Sequence, residues 1–238
     1  MALEASDIIL ADDNFATIVE AVKEGRNVFQ AIKKSVFYLL SSNLGELLLI
    51  AFALFLFSDQ KGQLILPLTA LQILWINLLT EGLQALALCM GDYGFGASFR
   101  PTKKLIAKKE AWQIILIALL TAVSTLWIFQ FSLFHGGVAY GRTMAYMTLT
   151  FFQLVNALTV YLWNRDKPVA AFFKNRLLVL AIVLSAALQL LLVYCQPLAR
   201  LFQLTTLNWQ DWLLSVGLPL VILGVLCLIK YFCKIWKK

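Results

Sequence analysis

Long apolar runs separated by short polar breaks set the pattern of this chain, and their lengths predict helices rather than strands. The runs cover residues 34–57, 64–89, 112–134, 143–163, 177–194 and 209–229. A helix that crosses a bilayer needs about 17–25 largely apolar residues, and each run is that long. The first run is expected to continue a cytosolic helix before it. Pro67 falls in the first turn predicted for the second, where proline is tolerated. His135-Gly136-Gly137 opens the connection from the third to the fourth.

The first 34 residues read differently. Asp7-Ile8-Ile9-Leu10-Ala11 has the pattern of a short strand and Asp12-Asp13-Asn14 that of a turn, with Asn14 suited to cap a helix. Ile18, Val19, Val22, Phe29 and Ile32 then recur at roughly helical spacing. One strand cannot make a sheet or a core alone. The predicted fold class is an all-α membrane protein: a six-transmembrane-helix bundle over 35–238 behind a short cytosolic N-terminal strand–helix remnant over 1–34.

Composition agrees with lipid as the solvent. The chain of 238 residues is 61% hydrophobic and 14% charged, against about 45–50% and 25% in soluble domains. Its net charge of +7 could suggest a nucleic-acid partner, but the distribution of the charges excludes that reading. With six spans, 17 of the 20 Lys and Arg fall on one side, and only Lys61, Arg142 and Arg200 on the other. That bias puts both termini in the cytosol. Met1 to Asp13 holds four acids and no base, unlike a secretory signal, so the first span is expected to act as the anchor. Cys89, Cys195, Cys227 and Cys233 form no CxxC pair, which argues against a disulfide framework or zinc site.

The polar residues inside the apolar runs carry the candidate chemistry. Asn43 and Glu46 are three apart in the first; Asn77, Thr80 and Glu81 share a face in the second; Gln153 and Asn156 are three apart in the fourth. An ionised carboxylate at the bilayer centre costs about 2.5–3.5 kcal/mol or more, and no Lys or Arg lies at matching depth. Glu46 and Glu81 must be protonated, face water or hold a cation. Carboxylate, amide and hydroxyl oxygens suit a hard ion such as Ca2+, Na+, K+ or Mn2+, and the lack of Cys and His there argues against copper or zinc. Asn156 and Ser124 are read as interhelical hydrogen-bond partners, and His135 as a loop residue.

Several segments resemble P-type cation-transporting ATPases, the calcium-pump-like branch in particular. Residues Glu4 to Val19 resemble the end of the phosphorylation domain; Tyr38 to Glu46 the fifth membrane helix; Leu71 to Gly82 the sixth; Arg100-Pro101 a motif of the following cytosolic loop; and Arg142 to Ala145 the start of the eighth. The resemblance implies that residues 1–34 are a remnant of the phosphorylation domain and stalk helix. It implies cation ligands at Asn43, Glu46, Asn77, Thr80 and Glu81, with Gln153 a further candidate. The implied ion is Ca2+, with Na+ or Mn2+ as alternatives. Glu81 stands where the family usually has aspartate, and Gln153 where sarcoplasmic-reticulum-type pumps carry glutamate, which favours a single ion.

The sequence lacks the Asp-Lys-Thr-Gly phosphorylation motif and the nucleotide and actuator domains. It reads as a truncated pump in which ATP and Mg2+ would act only through the missing N-terminal portion, a possible partner alongside the lipid bilayer. Without an aspartyl nucleophile it has no phosphoryl-transfer site. The plasma membrane is the expected location. Two rival readings are an orphan membrane protein that binds or regulates a pump, and a passive cation pathway.

Overall fold

The structure, a computed structural model, describes residues 15–57, 64–91, 93, 105–162 and 175–226 in full and the backbone of 227–235. The strand expected at 7–11 and the Asn14 cap lie outside the described residues, as do Arg100-Pro101 and most of the two basic loops. The described elements are helices: α1 (Phe15–Leu56), α2 (Ala70–Cys89), α3 (Lys108–Leu162), α4 (Arg176–Tyr194), α5 (Gln196–Leu201) and α6 (Trp209–Ile235). Five of them, all but α5, are long and apolar enough to cross a membrane.

α1 is continuous for 42 residues. Nothing in its sequence breaks it: there is no proline, and Gly25 and Gly45 are isolated. The apolar run at 34–57 is thus the second part of one rod whose first part carries the charged positions.

α2 begins later than its apolar run suggests, at Ala70 rather than Leu64. Thr69 and Gln72 form a capping box: Thr69 Oγ1 accepts from the Gln72 backbone N–H at 3.3 Å, and Gln72 Oε1 accepts from the Thr69 N–H at 2.9 Å. Pro67, expected in the first turn, instead lies in a bend before the helix, as proline disfavours helix at the residue before it. Gln72 also donates through Nε2 to the Phe202 carbonyl at 2.9 Å, so this fully buried amide is satisfied.

α3 runs for 55 residues but is not straight. Gly137 has φ 77° and ψ −173°, outside helical geometry, and two helices meet there. The second folds back on the first. A methyl built on Gly141 would lie 3.3 Å from Leu133 and Phe129 side-chain atoms, whereas in a straight helix positions 129 and 141 would be about 18 Å apart. Only glycine adopts this φ readily, so the expected connection at 135–142 shrinks to a turn. His135 sits exposed at that turn, its Nδ1 2.7 Å from the Phe131 carbonyl oxygen.

The interior is filled mainly by α1, α2 and both arms of α3. Leu49, Ile76, Ala122, Met147 and Leu192 belong to one buried apolar cluster, and Tyr38, Leu88, Ala157 and Tyr161 to a second. At Gly45 α1 packs against α3 with room for a methyl, which would sit 3.4 Å from Thr121 Cβ and 3.5 Å from Ala118 Cα. Lys33 pairs with Glu110 at 2.8 Å, and Lys34 donates to the Tyr161 carbonyl at 2.8 Å beneath the Tyr93 ring. These contacts fix the first turns of the α1 apolar run against both ends of α3.

Candidate functional site

α1 and α2 run antiparallel, so position 43 faces 81 and position 46 faces 77. Two crossed hydrogen bonds result. Asn43 Nδ2 on α1 donates to Glu81 Oε2 on α2 at 2.9 Å, and Asn77 Nδ2 on α2 donates to Glu46 Oε1 on α1 at 3.2 Å. A third donor comes from the second arm of α3, where Gln153 Nε2 reaches Glu81 Oε1 at 2.7 Å. Five of the six predicted ligands are thus brought to one place. Glu46 is 6% exposed and Glu81 1%, so neither turns toward lipid. Asn43, by contrast, lies at an exposed edge of the cluster.

Thr80 is the exception. It stands next to Glu81 in sequence but faces α4, where Gln189 Nε2 donates to its hydroxyl oxygen at 3.2 Å. The cause is local. Residues Ile76–Glu81 form a π-helical segment within α2. A π-turn inserts an extra residue and rotates the remainder of the helix about its axis, so Asn77, Thr80 and Glu81 do not project as a regular α-helix would place them.

The cluster has buried oxygens without hydrogen-bond partners among the described residues, as do other buried polar side chains of the bundle such as Tyr38, Thr125 and Thr148. Glu46 Oε2, Asn77 Oδ1 and Gln153 Oε1 are buried and accept no hydrogen bond from the described residues. All three belong to the cluster, and all are lone-pair donors of the kind a hard cation takes. Among the described residues no group of three or more His, Cys, Asp or Glu comes together. Two carboxylates with neutral amide oxygens make up the cluster, enough negative charge to balance one divalent ion.

The other polar positions do different work. Asn156 donates to Ser41 Oγ at 2.8 Å, joining α3 to α1, and Ser124 bonds back to the Leu120 carbonyl of its own helix at 2.6 Å. Sequence reasoning missed a second buried set. Gln189 accepts from the Tyr146 hydroxyl at 2.6 Å, and Gln84 bonds Ser185 at 3.3 Å. The signal for it was weak: Ser185 and Gln189 are four apart on α4, and Gln84 stands three beyond Glu81.

Residues 65–232 match the family model for the C-terminus of cation transporting ATPases. The chain belongs to that family. Its similarity to individual members extends over nearly its whole length. It is 36% identical over 232 residues to a calcium-transporting ATPase of Bacillus subtilis (strain 168), covering 93% of this chain and 25% of that protein. It is 32% identical over 230 residues to calcium-transporting ATPase 1 of Schizosaccharomyces pombe, covering 94% and 25%. Against calcium-transporting ATPase type 2C member 2 of Mus musculus it is 30% identical over 241 residues, covering 99% and 24%. This member of the cation-transporting ATPase family therefore spans about a quarter of the length of the relatives it matches.

Proposed function

We propose that this chain is the cation-binding membrane domain of a P-type calcium-transporting ATPase, crossing the bilayer six times with both termini cytosolic. The sixth span comes from counting the two arms of α3 separately. As one rod, 55 residues would be about 80 Å long, far beyond a hydrocarbon core of about 30 Å. Six spans also keep 17 of 20 basic side chains on one face.

The cation, Ca2+ in this reading with Mn2+ or Na+ as its competitors, is the cargo. Glu46 and Glu81 supply charge and Asn43, Asn77 and Gln153 supply amides, while the Thr80 hydroxyl is engaged by Gln189 of α4 instead. The observation that carries the reading is the meeting of two buried carboxylates with three donorless buried oxygens among five of the predicted ligands. Calcium is favoured by the names of the relatives and by a donor set made entirely of oxygen. ATP and Mg2+ would act through phosphorylation, nucleotide and actuator domains supplied from outside this sequence, and α1 would carry their movement to the site.

The test is radiolabelled calcium uptake into vesicles containing the chain together with the catalytic portion of the Bacillus subtilis relative. ATP-dependent uptake that Glu46→Gln and Glu81→Gln each abolish is expected. Uptake by the chain alone, without ATP, would instead mark a passive pathway. No uptake in either arrangement, with the catalytic portion bound, would leave an accessory protein of a pump.

A further inference from the structure

A buried polar chain approaches the cluster from the side of α4. Tyr146 and Gln189 are fully buried and Thr80 is 1% exposed. The Tyr146 hydroxyl donates to Gln189 Oε1 at 2.6 Å, and Gln189 Nε2 donates to Thr80 Oγ1 at 3.2 Å. The amide oxygen accepts the tyrosine's hydrogen and the amide N–H faces Thr80.

The chain ends on a residue of the π-turn, next to Glu81. There the usual four-residue backbone ladder is interrupted, so side-chain contacts have more say in which way each residue points. From outside α2, Glu81 is held by Asn43 and Gln153, and Thr80 by Gln189. The geometry points to Gln189 and Tyr146 as positioning residues of the cation site: they pin Thr80, and through it hold the π-turn in the register that turns Glu81 toward its partners. This inference rests on reading the cluster as a cation site. It differs from ordinary interhelical adhesion in running through one named atom, Thr80 Oγ1. Partners one layer behind a metal ligand typically change affinity by about 10–100-fold, whereas a hydrogen bond between membrane helices averages about 0.6 kcal/mol of stability.

The experiment is calcium titration of the full chain in lipid nanodiscs by calorimetry, with Mn2+ as the second probe. Wild type is compared with Tyr146→Phe, Gln189→Leu, Thr80→Val and the Gln189→Leu/Thr80→Val double variant. Gln189→Leu and Tyr146→Phe are each expected to weaken Ca2+ binding about tenfold or more, with a changed Ca2+/Mn2+ ratio. The Gln189→Leu loss should vanish on the Thr80→Val background, because its route to the site is already gone; a packing defect would add instead. Tyr146→Phe removes one oxygen and keeps the ring, so it decides the matter if Gln189→Leu fails to assemble. The inference is overturned, with the cation site intact, if Glu81→Gln loses binding while Tyr146→Phe and Gln189→Leu stay within about twofold of wild type. It is overturned equally if the Gln189 effect persists undiminished without Thr80. A wild-type chain that binds neither ion would bring down both the cation site and this inference.

Discussion

Gln153 donates its amide to Glu81 across 2.7 Å, from α3 to α2, and the direction of that donation determines what a charge at position 153 would do. Gln153→Glu replaces the donor with an acceptor and sets two carboxylates face to face in a buried site. Without divalent cation the variant should be less stable by about 1–3 kcal/mol, the cost of a buried acceptor losing its partner. Added Ca2+ should close the gap, because three carboxylates attract it more strongly than two. Thermal unfolding in nanodiscs, with chelator and then with Ca2+, measures both. Equal melting of variant and wild type in chelator would rule out this role for the amide.

The two carboxylates are not equally supported. Glu81 accepts from both Asn43 and Gln153, whereas Glu46 accepts from Asn77 through one oxygen and its other oxygen has no donor among the described residues. Asn77→Leu should therefore destabilise the fold by about 1–3 kcal/mol and weaken cation binding. Asn43→Leu, at the exposed edge and with Gln153 still in place, should cost less than about 1 kcal/mol. Paired denaturation curves give the order, and the reverse order would contradict the crossed arrangement.

Much of this site is legible in the residues alone, for an energetic reason. Glu46 and Glu81 stand out because hydrocarbon penalises a carboxylate so heavily, and the spacings 43/46 and 77/81 put helpers on the same helix faces. The start of α2 is not legible, since Pro67 and the Thr69–Gln72 box lie inside a stretch that hydropathy alone cannot divide. The π-turn leaves no mark in Ile76-Asn77-Leu78-Leu79-Thr80-Glu81, because its stability comes from contacts with α1, α3 and α4. Tyr146 and Gln189 are invisible for a related reason: a single amide or phenol in an apolar helix has no partner until the fold supplies one.

Gly45 precedes Glu46 and lies where α1 meets α3. Gly45→Ala should be nearly neutral, since the added methyl meets Thr121 and Ala118 at 3.4–3.5 Å, ordinary contact distances. Gly45→Val adds two further carbons where no space exists and should cost about 1–3 kcal/mol. It should also weaken Ca2+ binding, because pushing α1 off α3 carries Glu46 away from Asn77. Binding and melting measured on the two variants separate the effects: a Val variant that melts like the Ala variant would mean that the helices can part there freely.

The turn at Gly137 offers the sharpest test of topology. If the two arms of α3 are separate spans, His135 lies on the face opposite both termini, and Glu20, on the first part of α1, lies on the cytosolic face. In a cysteine-free background, His135→Cys should react with a membrane-impermeant maleimide added outside intact cells, while Glu20→Cys should react only after permeabilisation. Both side chains are exposed in the protein, so lack of labelling would reflect the bilayer and not packing. The same turn should resist a side chain: Gly137→Ala forces a β-carbon onto a positive-φ backbone with extended ψ that is essentially glycine's alone, at a cost of about 1–3 kcal/mol. Gly136→Ala would meet the Tyr140 ring at 2.5 Å, which must swing aside. Labelling of both cysteines from the outside would break the six-span arrangement. The charge bias along the chain would then need another cause, because with Glu20 outside and α3 crossing once the basic side chains at 23–34 and 100–109 would lie on the face opposite that assigned here.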